Sequence, residues 1–187
     1  MKVILASKSP RRKELIKLLN IEAITVPSHI EEDIDFSLNH EEMVMDLALQ
    51  KATSVFKKHK ETMVLGFDTL VIINNEILGK PNNSKEAKKY LRALSGKTHR
   101  VVTGCALIKK GYSSSFYSSA MVKFYPMSDM EIDEYINTNE PFDKAGAYGI
   151  QGHGAKYIES INGDYYAVVG FPLAKIYQEL KKFLKGF

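Results

Sequence analysis

The order in which hydrophobic periodicities follow one another constrains this fold more than any single motif. Val3-Ile4-Leu5-Ala6 is a continuous apolar run and reads as a buried strand. Ser9-Pro10 opens a helix, with serine at the N-cap and proline at the first helical position. Leu15, Ile16, Leu18 and Leu19 give that helix a buried face, and Asn20 ends it. Residues 21–26 form a second strand closed by Pro27, and a helix covers 39–58 with Met43, Leu47 and Val55 turned inward. Met63–Ile73 is a strongly apolar strand interrupted by Gly66, Asp68 and Thr69, and it returns through Asn74-Asn75 to Glu76–Leu78. Ser84 is the expected cap of a helix over 84–94, with Glu86 one place early for a strict capping box; Ser95-Gly96 stops it. Two long strands, 97–109 and 112–125, meet at Lys110-Gly111. Ser128 and Glu131 form a capping box for a further helix. Residues 139–156 show no period. A hairpin of 157–161 and 165–169 about Asn162-Gly163 and an amphipathic helix over 172–183 complete the chain. Early alternation of strand and helix followed by long hairpins predicts an α/β fold with a mixed sheet rather than a purely parallel one.

At 187 residues the chain is the length of one domain, expected over 1–187, without repeat or linker, and it needs neither disulfides nor a structural metal to fold. Its one cysteine, Cys105, cannot form an internal disulfide, which suits a reducing, cytoplasmic compartment. No apolar run approaches the roughly 20 residues of a membrane span, and Met1–Ser9 is too short for a signal peptide. The basic segments lack interleaved aromatics, so no nucleic-acid polymer is called for as a partner. The five histidines lack metal-ligand spacing.

The net charge of +4 says less than its layout. Residues 1–20 carry six basic side chains and one acidic; residues 21–50 carry eight acidic side chains and no Lys or Arg. Such segregation suits a polyanion bound with a divalent cation, and it equally suits two solvated faces.

Five constellations could carry chemistry. In Leu5-Ala6-Ser7-Lys8-Ser9-Pro10-Arg11-Arg12, hydroxyls and guanidiniums gather at a helix N-terminus, which is what a phosphate chain requires; a capped helix with surface arginines is the plain alternative. No Gly-x-x-x-x-Gly-Lys-Ser/Thr occurs. The acidic loop around Glu31-Glu32 offers oxygen ligands for Mg2+ or a solvated surface. Asp68, inside an apolar strand and followed by Thr69, requires a partner, a metal or a catalytic task. Gly79-Lys80-Pro81 presents a lysine in a rigid turn, and the glycine-rich 143–152 segment presents Gln151, whose amide can meet a base edge.

Taken in order with Leu94-Ser95-Gly96-x-x-His99, Val101-Val102-Thr103-Gly104, Asp143-Lys144-Ala145-Gly146-Ala147-Tyr148-Gly149-Ile150-Gln151-Gly152 and Val168-Val169-Gly170-x-Pro172-Leu173, these segments resemble the Maf family of nucleoside triphosphate pyrophosphatases over nearly the whole chain. The resemblance implies an elongated mixed sheet with flanking helices and two lobes around a nucleotide cleft, similar to the inosine triphosphate pyrophosphatases. It implies metal-dependent hydrolysis, with Mg2+ or Mn2+, of a triphosphate to a monophosphate and pyrophosphate, and a homodimer. Arg12, Thr69 and Gln151 stand where the dTTP- and UTP-acting subfamily has its marker residues, which implies action on dTTP and UTP and house-cleaning of modified pyrimidine nucleotides. In this reading Asp68 is the general base, Ser7, Arg11, Arg12, Lys51 and Lys80 bind substrate, and Glu32, Asp68 and Glu31 hold the metal. A nucleotide-binding regulator of septum formation without turnover and a pyrophosphatase of the 7-methyl-GTP subfamily are the alternatives. The chain departs from the family pattern at Glu31, at Ala167 (often Asn), at Phe171 (usually Leu) and at Phe67 (usually small).

Overall fold

A computed structural model describes residues 2–185. Strands β1 (Lys2–Ala6), β2 (Glu22–Thr25), β3 (Met63–Ile73), β4 (Glu76–Leu78), β5 (Thr98–Lys109), β6 (Tyr112–Phe124) and β7 (Ile158–Gly163) form a seven-stranded sheet of order β2-β1-β3-β5-β6-β7, with β4 paired to β3. The sheet is mixed, as the alternation of periodicities predicts. β1 runs parallel to both β2 and β3, whereas β3–β4 and β6–β7 are antiparallel. The helices are α1 (Pro10–Lys17), α2 (His40–Phe56), α3 (Ser84–Leu94), α4 (Asp129–Asn137), α5 (Tyr165–Val169) and α6 (Leu173–Lys185). The chain divides into two compact units, one made of residues 1–68, 103–118 and 170–187 and the other of residues 69–102 and 119–169.

In the first unit β1 and the adjoining parts of β3 and β5 are covered on both faces, which is why their sequences are apolar without alternation, whereas β2 is largely exposed. Val3, Leu5, Leu65, Phe67 and Leu107 face α1 and α6 through Ile16, Ile176 and Leu180. Ile4, Ala6, Val64 and Ala106 face the other way, onto Ala48, Ala52 and Val55 of α2. Two glycines set how closely α2 can lie. A Cβ on Gly66 would stand 2.2 Å from the Ala48 carbonyl oxygen, and one on Gly104 would stand 2.2 Å from that of Val44. Asn39 and Glu42 close a reciprocal capping box at the start of α2.

In the second unit α3 and α4 bury Leu91, Leu94, Ile132 and Ile136 with Val101, Val122, Phe124, Tyr148 and Tyr157. Asn74 and Asn75 both adopt positive φ, 50° and 66°, as a two-residue hairpin turn requires.

Three local expectations are corrected. Asn83, not Ser84, caps α3: its side chain accepts the Glu86 N–H at 2.9 Å. Glu86 thereby stands at the third position, but its carboxylate turns to Asn82 and Tyr90 rather than closing the box. Ser9 occupies the N-cap of α1 and Pro10 its first turn, as expected, although the serine makes no side-chain capping bond. The terminal hairpin is absent, because Asn162-Gly163 stays within β7 and pairs with Met121 and Ala120 of β6. Residues 165–169 form α5, started by Asp164, whose carboxylate accepts the Tyr166 N–H at 2.9 Å.

Candidate active site

The first unit gathers five of the expected residues into two linked groups. Arg12, on the first turn of α1, donates from Nε to the Gly170 carbonyl at 2.8 Å and from Nη1 to the Ser7 hydroxyl at 2.9 Å. Its guanidinium lies 4.9 Å from the centre of the Phe67 ring, a cation–π arrangement. Phe67 in turn packs on Phe171, ring centres 5.2 Å apart, and both are fully buried. The two departures from the family pattern at 67 and 171 are therefore one packing unit and a shelf for Arg12. Burial lowers the Arg12 pKa to about 10, against the opposing pull of Asp68, so the side chain stays charged at neutral pH. The Ser7 hydroxyl also accepts the Ser9 N–H at 3.1 Å, which fixes the approach to α1.

The second group is centred on Lys51 of α2. Its ammonium pairs with Asp68 and, at 2.9 Å, with Glu32. Lys51 and Asp68 are largely buried, 14% and 15% exposed, while Glu32 is 40% exposed. Burial pushes the Asp68 carboxyl above its ordinary range, Lys51 pulls it back, and Glu32 adds to the rise. Gly66 and Gly104 admit α2 to the sheet, and Asp68 lies two residues beyond Gly66 on β3, so the close packing of helix on strand brings Lys51 within reach of Asp68.

Sequence reading missed two contributors here. Gln50 clamps the acidic loop: its Oε1 accepts the Asp33 N–H at 3.0 Å and its Nε2 donates to the Asp33 carbonyl at 2.7 Å. Glu32 is thus set beside the lysine that follows Gln50. The Gly170 carbonyl is the other, and nothing local marks it as a partner of Arg12 across 158 residues. Arg11 is half-buried on α1, and Glu31 is exposed in the loop. No three acidic, His or Cys side chains among the described residues converge as a ready metal cage.

Thr69, Lys80 and Gln151 belong to the second unit. Thr69 is half-buried on β3, and Lys80 and Gln151 are exposed. The turn bearing Lys80 is fixed by the glycine–alanine segment, since Gly146 donates its N–H to the Gly79 carbonyl at 3.0 Å. Gly146 has φ of 69° and a Cβ there would stand 2.7 Å from Val71, so only glycine serves.

The class follows first from the fold. The chain matches the structure of the Staphylococcus aureus Ham1 protein with a TM-score of 0.50 at 15% identity, covering 84% of this chain and 80% of the other, which establishes the shared mixed α/β fold. The particular family follows from sequence. The Maf-like protein family model matches residues 2–183, and the chain belongs to that family. Relatives include a dTTP/UTP pyrophosphatase of Bacillus cytotoxicus, 51% identical over 99% of this chain and 97% of its own length. Proteins of the same name from Bacillus mycoides and Bacillus cereus are each 50% identical over 97% of this chain and 95% of theirs. No helix among the described residues is long and apolar enough to cross a membrane.

Proposed function

We propose that this chain hydrolyses dTTP and UTP to the monophosphate and pyrophosphate with the help of Mg2+ or Mn2+. The observation that carries the reading is the Asp68–Lys51–Glu32 array in the same unit as the half-buried Arg12. The name shared by the Bacillus relatives supports the substrate. Asp68, made more basic by burial, takes a proton from the water that attacks the α-phosphorus; the α–β anhydride bond breaks and pyrophosphate leaves. Arg11, Arg12, Lys51 and Lys80 bind phosphate oxygens, Ser7 donates to them, and the cations offset charge developing on the leaving group. Gln151, Thr69 and Arg12 discriminate the pyrimidine by hydrogen bonding.

Glu32 and Asp68 present hard oxygen donors, and their convergence on one ammonium is the respect in which they fit a divalent ion; Glu31, exposed in the same loop, would have to turn toward them to join as a third ligand. Such an ion, when bound, neutralises phosphate charge and polarises the reacting phosphorus. The same reading makes the protein a cytoplasmic homodimer that clears unwanted pyrimidine triphosphates. A monomeric mass in sedimentation would remove the dimer.

The test is a panel of dTTP, UTP, CTP and 7-methyl-GTP with Mn2+, with pyrophosphate and orthophosphate assayed separately. Pyrophosphate from dTTP and UTP is expected, and Asp68→Asn should lower turnover by about 10^2–10^4-fold, the span of a lost general base. Undiminished activity in Asp68→Asn overturns the mechanism. Binding without turnover turns the reading to a nucleotide-responsive regulator, preference for 7-methyl-GTP to the other subfamily, and orthophosphate alone to a γ-phosphatase.

A further inference from the structure

The second unit contains a partly buried polar network that the chemistry above does not use, and it surrounds Gln151. Glu140 begins a short 3-10 turn after Asn139, whose φ is 62°. Its Oε2 accepts the His153 N–H at 2.7 Å, and its Oε1 accepts the Gly154 N–H at 3.3 Å and the Tyr135 hydroxyl at 2.8 Å. The Tyr135 oxygen in turn accepts the Gly149 N–H at 3.0 Å. One carboxylate and one phenol therefore hold the backbone on both sides of Gln151.

The glycines of this segment are explained by the same pair. A Cβ on Gly152 would stand 2.2 Å from Glu140 Oε2, one on Gly154 would stand 2.6 Å from the Tyr135 oxygen, and one on Gly149 would stand 2.7 Å from Lys144 Cε and 2.9 Å from Glu140 Oε1. Gly149 and Gly154 are buried, whereas Gln151 is exposed. The segment is drawn tightly onto Glu140 and Tyr135 and leaves the glutamine at its crest. Tyr135 is itself placed by α4, whose start is secured by the Ser128–Glu131 capping box. Lys144 closes the turn by donating to the Glu140 carbonyl at 3.0 Å.

We propose that Glu140, with Tyr135, is a positioning residue for base selection: it fixes the backbone from Gly149 to Gly154 so that Gln151 meets the pyrimidine in one geometry. The proposal rests on the reading of Gln151 as a base contact given above. A hydrogen-bonding site discriminates only if its donors and acceptors are held still, since a mobile amide can satisfy a wrong base as well as a right one. The reacting groups lie elsewhere in the sequence, so the effect falls on binding and selectivity rather than on the chemical step.

The experiment pairs amide exchange with kinetics in Glu140→Gln and Tyr135→Phe. Glu140→Gln keeps one acceptor oxygen and puts an amide nitrogen, which cannot accept an N–H, in place of the other, so protection at His153 or at Gly154, whichever faces the nitrogen, should fall by about tenfold or more, the equivalent of roughly 1.4 kcal/mol. KM for dTTP should rise by about the same factor, kcat should change far less, and the ratio of dTTP to GTP hydrolysis should fall. Tyr135→Phe, which leaves the carboxylate in place, should lose protection chiefly at Gly149; it carries the test should Glu140→Gln not fold. Wild-type protection at 149, 153 and 154 in both variants overturns the tether. Lost protection with unchanged KM and base preference overturns the positioning role. Gln151→Ala separates the underlying reading: if it leaves base preference intact, Gln151 is not the base contact, whatever Glu140 does to the backbone.

Discussion

At the scale of single residues, the sequence reads chemistry by type and the structure assigns each type a partner. Asp68 in an apolar strand calls for a counter-charge, and Lys51 is that charge, shared with Glu32. Arg12 reads as a phosphate ligand, but two of its donors are already committed to Ser7 and Gly170, and its planar face rests on Phe67. Replacement of Phe67 should therefore have two effects. Phe67→Ala should destabilise the protein by about 3–5 kcal/mol in urea unfolding, as loss of a fully buried aromatic does. It should also raise KM for the triphosphate more than Phe67→Leu does, because the aliphatic side chain fills part of the space under the guanidinium.

At the scale of elements, most of the strands and helices were legible because their signals are local: β3 and its Asn-Asn turn stand where periodicity and turn chemistry place them. The errors are local competitions that neighbouring residues resolve. Asn83 and Ser84 are both good caps, and the structure uses Asn83. Asn83→Ala should cost about 1 kcal/mol in thermal or urea unfolding, whereas Ser84→Ala should stay within about 0.5 kcal/mol. Asn162-Gly163 has hairpin composition, yet pairing with β6 keeps it in β7. Helix α2 depends on two strand glycines that no propensity reveals. Gly66→Ala must push α2 outward, since its Cβ would meet the Ala48 carbonyl oxygen at 2.2 Å. Overpacking of this kind costs about 1–3 kcal/mol. A drop in activity larger than the stability loss explains is expected, because Lys51 moves with the helix.

At the scale of the molecule, acid should act on the second of the two units. In the second, His99 is buried between Phe124 and Tyr148, its Nε2 2.8 Å from the Tyr148 hydroxyl, and its Nδ1 has no hydrogen-bond partner among the described residues. Burial lowers its pKa from 6.5 to about 4. Between those values the unfolded chain binds a proton that the folded chain refuses, so stability is full above pH 6.5 and falls as the pH drops toward 4. The loss amounts to about 3 kcal/mol if the histidine stays neutral throughout. Urea unfolding from pH 8 to pH 4 should show this slope, and His99→Phe should flatten it even if the variant is less stable overall.

The sequence by itself determined the mixed α/β character, most element positions and the residue types of the candidate site, because periodicity, caps and turn chemistry act over a few neighbouring positions. Only the tertiary structure decided that Lys51 meets both Glu32 and Asp68, that Gln50 clamps the acidic loop, that Gly170 takes Arg12 across 158 residues, and that Glu140 and Tyr135 hold the chain around Gln151. Those pairings depend on how closely a helix can lie on a sheet and where an aperiodic segment docks. Such distances are set by packing between parts of the chain that carry no local signal of one another.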